Sequence, residues 1–185
     1  MRRLMPYALA AAVLACEGAL LTIPVEDSAQ TTIRQGTVLE SVLGDLGLDG
    51  FTALDVTASQ ELQNQGVEPG DIVDVRLVRF DLAVVAPEDG TFDFLGGLDV
   101  LVEAPGLPEV RIARMDQKSP GDQTLSLAVE DVDLTPYVTS RSMTITTDAQ
   151  GGRPTEDTTV EATFELSVGV TTQGACKAIQ GETPG

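Results

Sequence analysis

Polar and apolar residues alternate most regularly near the end of the chain, between residues 159 and 171. Successive side chains of a β-strand point to opposite faces of the sheet, so this period of two predicts a strand with one buried face. The intervening positions are mostly Thr, Glu and Ser. The predicted core positions are Val160, Ala162, Phe164, Leu166, Val168 and Val170.

A second long apolar stretch, from Ile72 to Ala86, changes phase near its middle. Val73, Val75 and Leu77 fall on odd numbers, and the apolar set that follows, Val78, Phe80, Leu82 and Val84, falls on even numbers. A β-bulge places an extra residue in one strand and re-aims the side chains that follow. We therefore predict one strand with a bulge near 77–78.

Six shorter stretches predict further strands, separated by turns rich in Gly, Pro and Asp. No long amphipathic helix separates consecutive strands, so parallel βαβ units are not expected. We predict an all-β fold, an antiparallel two-sheet sandwich of immunoglobulin-like shape with seven or eight strands; a barrel is the second choice. The shorter stretches are 29–35, 53–58, 98–102, 110–112, 125–129 and 143–147, and residues 37–50 predict a short helix or an ordered loop.

The first fifteen residues have the layout of a secretory signal. Arg2 and Arg3 precede an apolar run from Leu4 to Ala15, which is too short to span a bilayer as a helix. We therefore predict a signal helix at 1–15. A tether at 16–28, the sandwich domain at 29–172 and a loose tail at 173–185 follow it.

The residues that end this signal, Val13-Leu14-Ala15-Cys16, resemble the lipobox of bacterial lipoproteins. The resemblance implies that the signal is cut before Cys16, that the sulfur receives a diacylglycerol, and that palmitate-type chains hold the protein on a bilayer. Residue 17 is Glu rather than Asp. In the Gram-negative lipoprotein pattern this implies the outer membrane.

An ordinary secretory signal is the alternative. Cys16 would then survive near the mature N-terminus, and Cys176 would be its disulfide partner in an oxidising compartment. The chain has two Cys, and an even number favours this alternative, whereas lipidation leaves Cys176 without a partner. Both readings stay open at the level of sequence.

The charge of the chain limits its partners. It has 29 acidic and 11 basic residues, a net charge of −18. Without Arg2 and Arg3, nine basic residues remain and the net charge is −20. Nucleic acid is therefore not an expected partner, because phosphate binding needs basic patches. We interpret the acidity as a means of solubility.

Candidate chemistry is limited to carboxylates, because the chain has no His and no Trp. The tightest clusters are Glu88/Asp89/Asp93 and Asp131/Asp133, which we interpret as surface acids in turns. Paired carboxylates can hydrolyse glycosides and can bind Ca²⁺, although no EF-hand spacing occurs. We predict no catalytic residue, no metal ligand and no cofactor. Tyr137 is expected to donate a hydrogen bond to the main chain at a sandwich corner.

Three stretches resemble uncharacterised envelope lipoproteins of Gram-negative bacteria: DVLVEAPGLPEVRIA at 99–113, DVDLTPYV at 131–138 and SMTITT at 142–147. The resemblance extends over most of 55–170. The predicted function is a non-catalytic, lipid-anchored β-sandwich with a structural or interaction role toward an unknown protein or small ligand. The alternative is a secreted ligand-binding sandwich with a Cys16–Cys176 disulfide, in one version assisted by calcium. A carboxylate-based glycoside hydrolase is the remote alternative.

Overall fold

The computed structural model describes residues 21–37, 60–140 and 142–171. This part of the chain contains eight strands, and every strand pair is antiparallel. They form two four-stranded sheets, ordered β1-β8-β2-β5 and β6-β4-β3-β7. The strands are β1 (Leu21–Ile33), β2 (Ile72–Ala86), β3 (Leu95–Glu103), β4 (Val110–Arg114), β5 (Thr124–Ser126), β6 (Ala128–Val129), β7 (Thr144–Gly151) and β8 (Thr158–Val170).

The fold is therefore all-β and sandwich-like, as the alternating pattern predicts. A single hydrophobic cluster takes side chains from both sheets, including Val75 and Val168 from one and Val100 from the other. Each of these three is fully buried. Burial of one such side chain stabilises the folded state by roughly 1.5–3 kcal/mol relative to exposure.

Strand β8 confirms the most regular part of the sequence pattern. Its burial alternates without interruption from Thr158 to Val168. It lies between β1 and β2, and Phe164 is paired directly with Phe80 of β2. This strand is the centre of the first sheet.

The predicted bulge in β2 is confirmed, but one face assignment was wrong. The register with β8 shifts between Leu77 and Arg79, so Val78 is the extra residue. Val78 was expected to share the buried face with Phe80, yet 54% of it is exposed. A bulged residue leaves the ladder and turns away from the core. The shift next to Asp74, whose φ is 50°, was not predicted.

The stretch 125–129 forms two strands rather than the single one predicted. Strand β5 pairs with β2 in the first sheet, and β6 pairs with β4 in the second. Between them the N–H of Leu127 donates to the carbonyl of Phe80 at 2.9 Å. The chain thus crosses from one sheet to the other at a buried leucine, and alternation alone does not reveal such a crossing.

Strand β1 begins at Leu21, inside the segment that was predicted as a tether. It pairs with β8 along its whole length, from Leu21 opposite Val170 to Ile33 opposite Thr158. Pro24 had favoured a linker, but β1 lies at the edge of its sheet, and edge strands are where a sheet tolerates proline. Residues 21–28, predicted as part of the tether, therefore belong to the first sheet.

Helical structure is sparse among the described residues. It consists of α1 (Gln60–Asn64), a 3-10 helix (Pro69–Asp71) and α2 (Thr135–Val138). None of these helices could cross a membrane. The predicted signal helix, the tail at 173–185, the strand at 53–58 and all but the first residue of 37–50 lie outside the described residues.

Candidate binding pocket

The two ends of the sandwich differ in what they contain. Strand β1 begins and strand β8 ends at the same end, because Leu21 and Val170 are paired. We call this the proximal end. At the opposite, distal end, Ile33 is paired with Thr158, and β2 ends at Ala86. The connections 87–94, 115–123 and 152–157 therefore meet at the distal end.

A tight turn begins the first of these connections. The N–H of Gly90 donates to the carbonyl of Pro87 at 3.0 Å. A Cβ on Gly90 would lie 2.8 Å from Val84 Cγ1 and 3.0 Å from the carbonyl oxygen of Pro87. Such contacts are too short for ordinary packing, so the turn requires a residue without a side chain.

The main chain after this turn is fixed by polar side chains. Lys118 Nζ donates to the carbonyl oxygens of Phe92 and Asp93, at 2.9 and 3.2 Å. The Asp93 carboxylate in turn accepts the N–H of Gly121 at 2.9 Å. Gln123 Nε2 donates to the carbonyl of Glu88 at 2.9 Å. The connection 115–123 thus holds 87–94 in place.

Phenylalanines close the sandwich beneath this turn. Phe92 is 2% exposed, and its ring centroid lies 6.3 Å from that of Phe94. The apolar crevice that both rings line with Phe80 and Leu82 has a volume of only about 20 Å³. This space is a small packing gap and cannot hold an organic ligand.

A larger, polar pocket opens beside these rings. Its volume is about 310 Å³, which is at the lower limit of ligand pockets in proteins. One wall is the 89–94 stretch and the other is the 153–158 stretch. The lining residues are Asp89, Gly90, Thr91, Asp93, Phe94, Arg153, Thr155, Glu156 and Thr158. We call this the distal pocket.

The 153–158 wall is anchored to the start of the fold. The N–H of Gly36 donates to the carbonyl of Pro154 at 3.0 Å, and the N–H of Gln35 donates to the Asp157 carboxylate at 2.7 Å. Gln35 Nε2 also donates to the carbonyl of Thr155. These contacts leave the side chains of Arg153 and Glu156 exposed toward the pocket.

The two acidic clusters predicted from the sequence lie in different settings. Asp89 and Asp93 line the distal pocket, whereas Glu88 does not. Asp131 forms an ion pair with Arg76. Asp133 accepts the N–H and the hydroxyl of Thr135 at 2.9 and 2.6 Å. The second cluster therefore supports the start of α2 and contributes nothing to the pocket.

Neighbouring groups shift two pKa values around that second cluster. The Thr135 hydroxyl lowers the pKa of Asp133, against the effect of partial burial, and the Thr135 N–H and the charge of Arg76 lower it further. Asp74 and Asp131 raise the pKa of Arg76. The predicted main-chain bond of Tyr137 is also confirmed, since its hydroxyl donates to the carbonyl of Pro108 at 2.8 Å.

Sequence reasoning missed half of the distal pocket. It singled out Asp89 and Asp93 but not Arg153, Thr155 or Glu156, which lie about sixty residues further along the chain. The available signal was the polar run between the last two strands. Among residues 21–37, 60–140 and 142–171, no three potential metal ligands lie together. Cys16 and Cys176 lie outside these ranges.

Two comparisons with known proteins complete the description of the chain. No model of a protein family matches it. A search of curated proteins finds no match either.

Proposed function

We propose that this protein is a non-catalytic module of the bacterial cell envelope, anchored through an acylated Cys16 in the outer membrane. The observation that supports the proposal is the position of the two sandwich ends. The chain joins the fold at Leu21, at the proximal end, while the distal pocket lies at the other end. An anchor at Cys16 leaves the pocket accessible to a partner.

The distance from the anchor supports this arrangement. Four residues lie between Cys16 and Leu21, so even an extended chain keeps the proximal end within about 18 Å of the acylated residue. Strand β1 has 13 residues, which carry the fold roughly 40 Å further from the anchor. The negative net charge also disfavours contact of the sandwich with anionic headgroups.

The strength of such an anchor follows from its acyl chains. Each buried CH₂ contributes about 0.8 kcal/mol, so one chain binds a bilayer reversibly and two or three bind it stably. A diacylglycerol on the Cys16 sulfur carries two acyl chains, which is enough for stable binding. No further membrane contact from the sandwich is then required.

Metabolic labelling with an alkyne analogue of palmitate tests the proposal. We expect label on the wild-type protein and on the Cys176→Ser variant, and none on Cys16→Ser. The Cys176 variant is the matched control, because it also removes one thiol. A wild-type protein without label contradicts the anchor.

The second candidate is a secreted ligand-binding sandwich with a Cys16–Cys176 disulfide. Its support is the pairing of Leu21 with Val170, since Cys16 lies five residues before the first and Cys176 six after the second. Neighbouring strands are about 4.8 Å apart. The two strand ends that lead toward Cys16 and Cys176 are therefore adjacent in the sheet. Alkylation of thiols under non-reducing conditions tests it: two alkylated cysteines contradict the disulfide.

The calcium-assisted version of this candidate has its own test. A cation that binds only the folded protein stabilises it by RT ln(1 + c/Kd), where c is the free cation concentration, so the melting temperature rises as c exceeds Kd. Titration of thermal stability with millimolar Ca²⁺, against Mg²⁺ as control, gives no shift if the module acts without a metal. A shift with Ca²⁺ alone favours the calcium-assisted version.

The remote alternative, a glycoside hydrolase, is supported by Asp89, Asp93 and Glu156 in one pocket. Paired carboxyl groups are the usual machinery of that reaction. Incubation with glycan oligosaccharides tests it, and the absence of new reducing ends contradicts it. For the fold, we propose immunoglobulin-like shape as the finer assignment, supported by the two antiparallel four-stranded sheets.

A further inference from the structure

We propose that the distal pocket binds a small amino-acid-like ligand that carries ammonium groups and one carboxylate, the class that L-lysine represents. The inference rests on the proposed function, because a binding module requires an accessible site away from its anchor. Three observations carry it: the charges on the two walls, the guanidinium of Arg153, which forms no ion pair with a described residue, and the aromatic ring of Phe94 on the 89–94 wall.

The charges on the walls favour a ligand with more cationic than anionic groups. Asp89 and Asp93 lie on one wall, and Arg153 with Glu156 on the other. The pocket thus presents three carboxylates and one guanidinium. A ligand with two ammonium groups and a single carboxylate complements this excess of carboxylates over the one guanidinium. Complementary charge of this kind sets orientation and specificity more than it sets affinity.

Arg153 differs from most of the other cations in the described part of the chain. Arg76, Arg79, Arg111 and Arg114 each lie within 4.0 Å of at least one carboxylate. No carboxylate of a described residue lies that close to Arg153. A guanidinium that faces a cavity without a partner is suited to a ligand carboxylate, which it can bind with two parallel hydrogen bonds.

The apolar part of the pocket lining suits an aliphatic chain. The half-buried ring of Phe94 lines the pocket with Gly90, Thr91 and Thr155. A short methylene chain can lie along such a ring while its polar ends reach the charged walls. The volume of about 310 Å³ is sufficient for one amino acid and too small for a folded partner.

Titration of the isotope-labelled protein with L-lysine, followed by NMR shifts of backbone amides, tests the inference. We expect saturable shifts at residues 89–94 and 153–158, with a Kd of about 1 mM or weaker. Nα,Nε-diacetyl-lysine, which lacks both ammonium groups, should give none. Shifts without saturation, or equal shifts with the diacetyl compound, contradict the inference.

Two pairs of variants separate the pocket from the general negative charge of the protein. Asp89→Asn should weaken lysine binding roughly threefold to fivefold, whereas Glu88→Gln, in the same turn but outside the pocket, should not. Arg153→Gln should have a similar effect, and Arg34→Gln should have none, since Arg34 is exposed but does not line the pocket. Equal effects within either pair overturn the inference.

Titration with lysinamide tests the role of Arg153, because this compound keeps both ammonium groups and lacks the carboxylate. Arg153→Gln should weaken binding of lysine and leave binding of lysinamide unchanged. Equal weakening of both contradicts the role of Arg153. Palmitate labelling does not depend on any of these results. An acylated protein that does not bind lysine contradicts this inference and leaves the proposed anchor unaffected.

Discussion

The centre of the first sheet and the distal pocket are held together in different ways. Between β8 and β2, Phe164 and Val168 are buried on an alternating face, so apolar contact carries the stability. At the distal end, Lys118 and Asp93 hold two connections by hydrogen bonds to main-chain groups. The pocket thus sits on an apolar base, while its own walls are held by polar contacts to main-chain groups.

The largest expected effect separates these two regions directly. Phe164→Ala should destabilise the protein by about 3–5 kcal/mol, because it removes a buried ring and leaves a cavity. Phe94→Ala should cost about 1 kcal/mol, since that ring is half exposed at the pocket. Urea unfolding monitored by circular dichroism measures both. Similar losses in the free energy of unfolding for the two variants would contradict the proposed difference between the regions.

A substitution in the turn at Gly90, which lines the pocket, should have the next largest effect. Gly90→Ala forces a Cβ against Val84 and the carbonyl of Pro87, and overpacking of this kind costs about 1–3 kcal/mol. Gly70→Ala is the matched control, because a Cβ there meets nothing within 4 Å. Thermal unfolding checks the pair. A tolerated Gly90→Ala variant would mean that the turn relaxes easily.

A smaller effect is expected on the outer face of the first sheet. Arg79 of β2 lies 3.1 Å from Glu26 and 3.6 Å from Glu165, two glutamates that are paired across β1 and β8. Its removal leaves two like charges opposite each other. Arg79→Met should therefore destabilise the fold by up to about 1 kcal/mol at low salt.

Salt provides the control for that effect. The difference between Arg79→Met and the wild type should shrink at about 1 M NaCl, where exposed charges are screened over roughly 3 Å. Arg34→Met, which removes an exposed guanidinium without an ion pair to any described residue, should change stability little. A loss that is independent of salt would indicate packing of the arginine stem instead.

The smallest effect concerns pH and Asp133. Its pKa is lowered below the ordinary value of 3.8, first by the hydroxyl of Thr135. A carboxyl group whose folded pKa is lowered stabilises the protein above its unfolded pKa, and this contribution is lost as the pH falls through the folded value. The difference in melting temperature between wild type and Asp133→Asn should therefore be constant near neutral pH and shrink below about pH 4. A difference that grows in acid contradicts this assignment.

The strands could be predicted where one face of the sheet is buried and the other is wet. That condition holds for β8 and for β2, whose phase change correctly marked a bulge. It failed at 125–129, because a chain that crosses between sheets keeps its alternation while changing partners. The prediction of a tether also failed from Leu21 onward, because proline and acidic residues are compatible with an edge strand.

The pocket was only half predictable for a different reason. Asp89 and Asp93 lie close together in the chain and form a visible cluster. Arg153 and Glu156 join them only because β7 ends and β8 begins at the distal end. Local patterns do not encode which connections meet at one end of a sandwich, so the opposing wall required the fold itself.

Intact mass analysis of the N-terminal peptide from membrane-purified protein tests the central proposal most directly. The account predicts that the mature chain begins at Cys16, that the residue carries a diacylglycerol, and that residues 1–15 are absent. A peptide that retains residues before Cys16, or one in which Cys16 is joined to Cys176, contradicts the account.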